Sequence, residues 1–109
     1  MVIEQMSISI PFSKRQEIGR AMASLVGPTQ VQPGCLRCGL YQNWINSDEL
    51  RFEGHWENRD DLVRHLQSDI YKKFLLFMEL SLVPPVLDFY VVNEAKGLDL
   101  VHEARDEPV

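Results

Sequence analysis

Residues 50–77 read LRFEGHWENRDDLVRHLQSDIYKKFLLF, and this stretch decides the fold. Leu50, Phe52, Gly54 and Trp56 fall on one face of an extended segment over residues 49–57, with Arg51, Glu53, His55 and Glu57 on the other. Asn58 follows as a helix N-cap, with Asp60 and Asp61 in the first turn, where the helix dipole favours acids. Leu62 and Leu66 then lie one turn apart, and His65 borders their apolar stripe. Ser68 and Asp69 cap a second helix whose apolar positions are Ile70, Phe74, Phe77 and Met78, and Pro84-Pro85 ends it. A strand, a turn and two helices therefore carry an indole, Trp56, and an imidazole, His65, toward one interior.

Working outward, Val2 to Ile10 alternates as a strand, with Val2, Met6, Ile8 and Ile10 on one face, interrupted there by Glu4. After Pro11, Ser13 and Gln16 have capping-box spacing, so a helix is expected from Ser13, with Ile18, Met22, Leu25 and Val26 as its buried stripe and Gly27-Pro28 as its stop. Residues 29–34 read as a loop ending in a Pro33-Gly34 turn, and Cys35 to Trp44 as a second strand antiparallel to the third. Val86 to Asn93 is the last strand. The order β-α-β-β-α-α-β predicts an α+β, ferredoxin-like βαββαβ domain over residues 1–96, a four-stranded antiparallel sheet with helices on one face. Residues 97–109 form a tail in which Leu98 and Leu100 alternate, too polar for a core strand, and contact with a partner subunit is expected to order it.

The chain has 109 residues, 45% of them hydrophobic, which is one domain's worth. A net charge of -5 with acids and bases interleaved leaves no basic stripe, so nucleic acid is not expected as a partner. No apolar run approaches the roughly 20 residues of a membrane span, and the start MVIEQ lacks a basic leader, so a cytoplasmic location without membrane contact is expected. One helical face's worth of cover for a four-stranded sheet predicts a homodimer.

The residues able to carry chemistry are few. His65, beside a buried stripe, is either a hydrogen-bonded core histidine or a pocket base. Trp56 and Tyr71 are core residues first, each with a polar atom that a ligand could meet. Cys35 and Cys38 have redox-motif spacing, but on a regular strand residues three apart point to opposite faces, so the pair is expected to be dispensable. No phosphate loop, nucleophile elbow or metalloprotease helix is present, and neither a metal nor an organic cofactor is expected.

Pro33-Gly34-Cys35, Trp56-Glu57-Asn58 and His65-Leu66-Gln67-Ser68 with Tyr71 and Phe74 resemble the antibiotic biosynthesis monooxygenase superfamily, and the element order matches over residues 2–93. The resemblance implies a dimeric α/β barrel with a cavity between each sheet and its helices. It implies cofactor-independent oxidation of a small aromatic, phenol- or quinol-like molecule by O2, with His65 as base and Trp56, Tyr71 and Phe74 against the substrate. The alternative is a non-catalytic dimer that binds a small ligand, for instance in a stress response. Two departures stand out. Family members often have glutamate two before the tryptophan, where this chain has Gly54. The haem-degrading branch has an iron-ligating histidine where this chain has Leu75, so haem degradation is not expected.

Overall fold

The computed structural model describes residues 1–106. Its elements run β1 (Val2–Ser9), α1 (Phe12–Ala23), α2 (Val26–Gln30), β2 (Cys35–Gln42), β3 (Glu49–Trp56), α3 (Arg59–Leu66), α4 (Asp69–Glu79), β4 (Val86–Val91) and α5 (Leu98–Arg105). The strands form one antiparallel sheet in the order β2-β3-β1-β4, the expected ferredoxin-like arrangement. Met6 and Ile8 of β1 with Ile10 just beyond it, Leu50 and Phe52 of β3, Met22, Tyr71 and Phe74 from the helices, and Leu25 between α1 and α2 make the main core.

The caps that place His65 are those the sequence predicts. Asn58 Oδ1 accepts from the Asp61 N–H at 2.9 Å, and Ser68 Oγ accepts from the Tyr71 N–H at 3.3 Å. Gly34 is held at φ 80, and a Cβ there would lie 2.2 Å from the Asp61 carboxyl group, so α3 rests directly on the turn that opens β2.

Four local expectations are corrected. The first helix starts at Phe12, not Ser13: Pro11 is its N-cap, extended at φ -63 and ψ 148, and no side chain caps it. Gly27-Pro28 does not stop a helix but lies within α2. Pro28 is the third residue of that helix, where the missing N–H would have had no partner in the first turn. The tail forms helix α5 and leaves Leu98, Leu100 and Val101 exposed.

The fourth correction concerns β2. Its register against β3 shifts between Cys35, opposite Trp56, and Arg37, opposite His55. Leu36 is the extra residue of a β-bulge. Cys35 and Cys38, opposite Trp56 and Gly54, therefore share the helix-facing side of the sheet instead of pointing to opposite faces.

By register the outer sheet face mixes Gln5, Ser7, Arg51, Glu53 and Asp88 with Ile3, Tyr41, Val86 and Tyr90. Tyr41, Val86 and Tyr90 are exposed there, and further exposed apolar surface lies along β4 at Leu87, Phe89 and Val91, whose cross-strand partners Met6, Glu4 and Val2 fix them on the helix side.

Candidate functional site

Glu4, Trp56 and His65 come from three elements and meet in the interior. β1 and β3 pair so that Glu4 lies directly opposite Gly54. The absent side chain at Gly54 is what admits the Glu4 carboxyl group: a Cβ there would lie 2.7 Å from Glu4 Oε1 and 3.0 Å from Trp56 Nε1. With no side chain on β3 at this position, the neighbouring strand β1 supplies the carboxyl group.

The contacts are specific. The Trp56 indole N–H donates to Glu4 Oε1 at 3.0 Å. The His65 imidazole stacks on the indole, with centroids 4.4 Å apart and planes 26° apart. His65 Nδ1 lies 2.7 Å from Gln32 Oε1, which only accepts, so Nδ1 donates. His65 Nε2 lies 2.9 Å from Glu4 Oε1, within ion-pair reach but without hydrogen-bond alignment. With Nδ1 donating to Gln32, Nε2 is the ring nitrogen that faces the carboxyl group. A side-chain carboxyl at 1% exposure is costly unless partnered, and here the indole and the imidazole are those partners.

Aromatic side chains close the cluster. The Tyr71 ring meets His65 edge-on at 5.2 Å, and Phe74 lies 6.2 Å from His65 and 4.5 Å from Phe52. Burial, helped by the nearby Glu4 carboxylate, pushes the Tyr71 hydroxyl up to about 12. Burial is also the main cause that raises both thiols, Cys38 to about 12.

All four sequence-predicted site residues, His65, Trp56, Tyr71 and Phe74, are thus brought together, and each is buried. Sequence reasoning missed Glu4 as a functional candidate and Gln32 altogether. The signal for Glu4 was present, an acid within an otherwise apolar strand face; nothing distinguishes Gln32 from any glutamine in a turn.

A cleft of about 270 Å3 opens beside this cluster, between α3 and β4, lined by Val2, Arg59, Leu62, Val63, Leu66, Phe89 and Val91. Val2, Leu62 and Leu66 also pack on Trp56, so they form the layer between the cleft and the buried cluster. A groove of about 590 Å3 beside α1, lined by Phe12, Arg15 and Leu50 among others, lies at the opposite end of β3 from Trp56. Among the described residues, no group of three or more His, Cys, Asp and Glu is placed to hold a metal ion, and no helix is long and apolar enough to cross a membrane.

Gly54→Ala is expected to push the carboxyl group off the indole and to cost about 1–3 kcal/mol by overpacking. Chemical denaturation checks this, and an unchanged midpoint would show that Glu4 is not confined there.

Comparison with known proteins gives a consistent result. The family described as antibiotic biosynthesis monooxygenase matches residues 1–75. A candidate antibiotic biosynthesis monooxygenase from Deinococcus radiodurans superposes with TM-score 0.80 at 17% identity, covering 89% of this chain and 97% of that one. A conserved protein of Methanosarcina mazei superposes with TM-score 0.74 at 26% identity, over 83% and 91% of the two chains. An uncharacterized protein of Synechocystis is 23% identical over 93 residues, 84% of this chain. The chain spans 63% of the length of that curated relative.

Proposed function

The chain belongs to the antibiotic biosynthesis monooxygenase family, and from that premise we propose that it oxidises a small phenol- or quinol-like molecule with O2. The observation that carries the reading is His65 Nε2 set 2.9 Å from Glu4 Oε1. A base so placed takes the hydroxyl proton of a phenol and holds it beside a carboxyl partner. The phenolate is electron-rich enough to reduce O2. One oxygen atom replaces a ring hydrogen and ends as a quinone carbonyl, and the other leaves as water.

The ring is proposed to lie in the cleft between α3 and β4, whose lining is apolar apart from Arg59. Arg59 suits an oxygen anion. His65 has 1% exposure, so the substrate hydroxyl reaches it when Leu62 or Leu66 changes rotamer. The experiment is oxygen uptake by the purified protein with a panel of hydroquinones and naphthols. Substrate-dependent uptake with a product one oxygen heavier and two hydrogens lighter is expected. Binding without uptake would replace this reading with the second.

The second reading, a non-catalytic small-ligand binder, is favoured by one observation. His65 has a neighbour at each ring nitrogen, Gln32 at Nδ1 and Glu4 at Nε2, as a structural histidine would.

In either case we propose a homodimer in the cytoplasm whose second copy covers the outer face of the sheet and the tail helix α5. Exposed Tyr41, Val86 and Tyr90 on that face, with Leu98, Leu100 and Val101 of α5, support it. Deleting residues from Gly97 onward is expected to weaken the dimer. Sedimentation at micromolar concentration checks this, and an unchanged dissociation constant would mean that the tail contributes nothing.

A further inference from the structure

We propose that Cys35 and Cys38 form a reversible intramolecular disulfide, closed by hydrogen peroxide or another two-electron oxidant. The bulge at Leu36 is what makes the pair possible. It packs three chain steps into the length that two residues of β3 span, from Trp56 to Gly54. At about 3.3 Å per residue that length is about 6.6 Å. Disulfides usually join Cα atoms about 4.4–6.8 Å apart, so the spacing falls within reach, near its upper end. On an unbulged strand the same two residues would lie about 10 Å apart on opposite faces.

The side chains agree with the backbone. Both side chains lie on the helix side of β2, where Cys35 and Cys38 pack on adjoining parts of the core. Cys38 Sγ donates to the Val26 carbonyl of α2 at 3.4 Å, and Cys35 packs on the cluster of Val2, Trp56 and Leu62. Both are half-buried, so a small oxidant reaches them while a second protein's thiol does not do so readily.

Oxidation is stepwise. Burial raises both thiols, so the thiolate is a minor species and the reaction is slow; that thiolate attacks a peroxide oxygen, the O–O bond breaks, and a sulfenic acid forms with release of water. The second sulfur displaces that oxygen as a further water, and the S–S bond closes. Two thiols are oxidised by two electrons and one peroxide is reduced to two waters. The cross-link joins residues opposite Trp56 and Gly54, so it tightens β2 beside the strand that carries the indole. The inference does not depend on whether the chain is catalytic.

The test is peroxide treatment of the folded, full-length protein, followed by catalase, alkylation in denaturant and intact-mass analysis. The expected product is a monomeric chain about two hydrogens lighter that takes up no alkylating agent and regains two adducts after reduction. Cys38→Ser leaves one thiol, so it is expected to gain oxygen instead of losing hydrogens. In a Trp44→Phe background, where Trp56 is the remaining tryptophan, closing the disulfide is expected to shift the emission of Trp56, and reduction to restore it. Two thiols that persist, oxygen added independently at each cysteine, or a cross-linked dimer as the main product would each overturn the proposal.

Discussion

Replacing Trp56 by alanine is expected to destabilise the domain by about 3–5 kcal/mol, the usual cost of truncating a fully buried aromatic side chain. Trp56 is 0% exposed and ties three features together. Its ring packs on Val2 and Leu62, its face carries the His65 imidazole, and its N–H meets the Glu4 carboxyl group. Trp56→Phe separates these roles. It keeps most of the buried area and removes the donor, so the Glu4 oxygen loses a partner in the interior. That unpaired oxygen is expected to cost about 1–3 kcal/mol. Urea unfolding of the two variants checks both figures. A Trp56→Ala protein within 1 kcal/mol of the wild type would mean that the indole sits in a site that relaxes freely.

If the chain is an oxygenase, His65→Ala is expected to lower turnover by roughly 100-fold or more while leaving KM nearly unchanged. The reason is positional. The imidazole lies beneath the layer of Leu62 and Leu66, so a ring in the cleft owes most of its binding to Val2, Phe89 and Val91 and little to His65. Proton removal is the step that needs Nε2. If the chain only binds, the same substitution is expected to loosen the core and change affinity, with no turnover to lose. Steady-state oxygen uptake together with equilibrium binding separates the two outcomes.

The fold was legible because its signals are local. Alternation at Leu50, Phe52, Gly54 and Trp56, the cap at Asn58 and the cap at Ser68 each lie within a few residues of what they specify. What failed locally had two periodic readings or a positional exception. Leu98 and Leu100 fit a strand, while Leu98 and Val101 fit a helix, and eight residues do not decide between them. Pro28 reads as a stop, yet proline is tolerated in a helix's first turn. The bulge at Leu36 was illegible because Cys35 and Cys38 are both acceptable on either face.

The site was half legible for a different reason. Trp56 and His65 are joined by one short turn, so their convergence could be read from the chain. Glu4 is 52 residues from Trp56, and Gln32 is 33 residues from His65. Their placement depends on strand order and register, which no local pattern fixes. An acid inside an apolar strand face was visible; that Gly54 would leave it room was not, because that requires knowing that Glu4 and Gly54 are cross-strand partners.

The central claim is that Glu4 holds the Trp56 indole as part of one buried unit with His65, and the Trp56 indole N–H resonance reports on it directly. In a Trp44→Phe background the remaining indole proton is expected to exchange slowly with solvent, because its bond to Glu4 Oε1 is buried. Glu4→Leu removes the acceptor, and the account predicts a large shift of that resonance together with faster exchange in a chain that remains folded. An indole resonance with the same shift and protection in the Glu4→Leu protein would contradict the account.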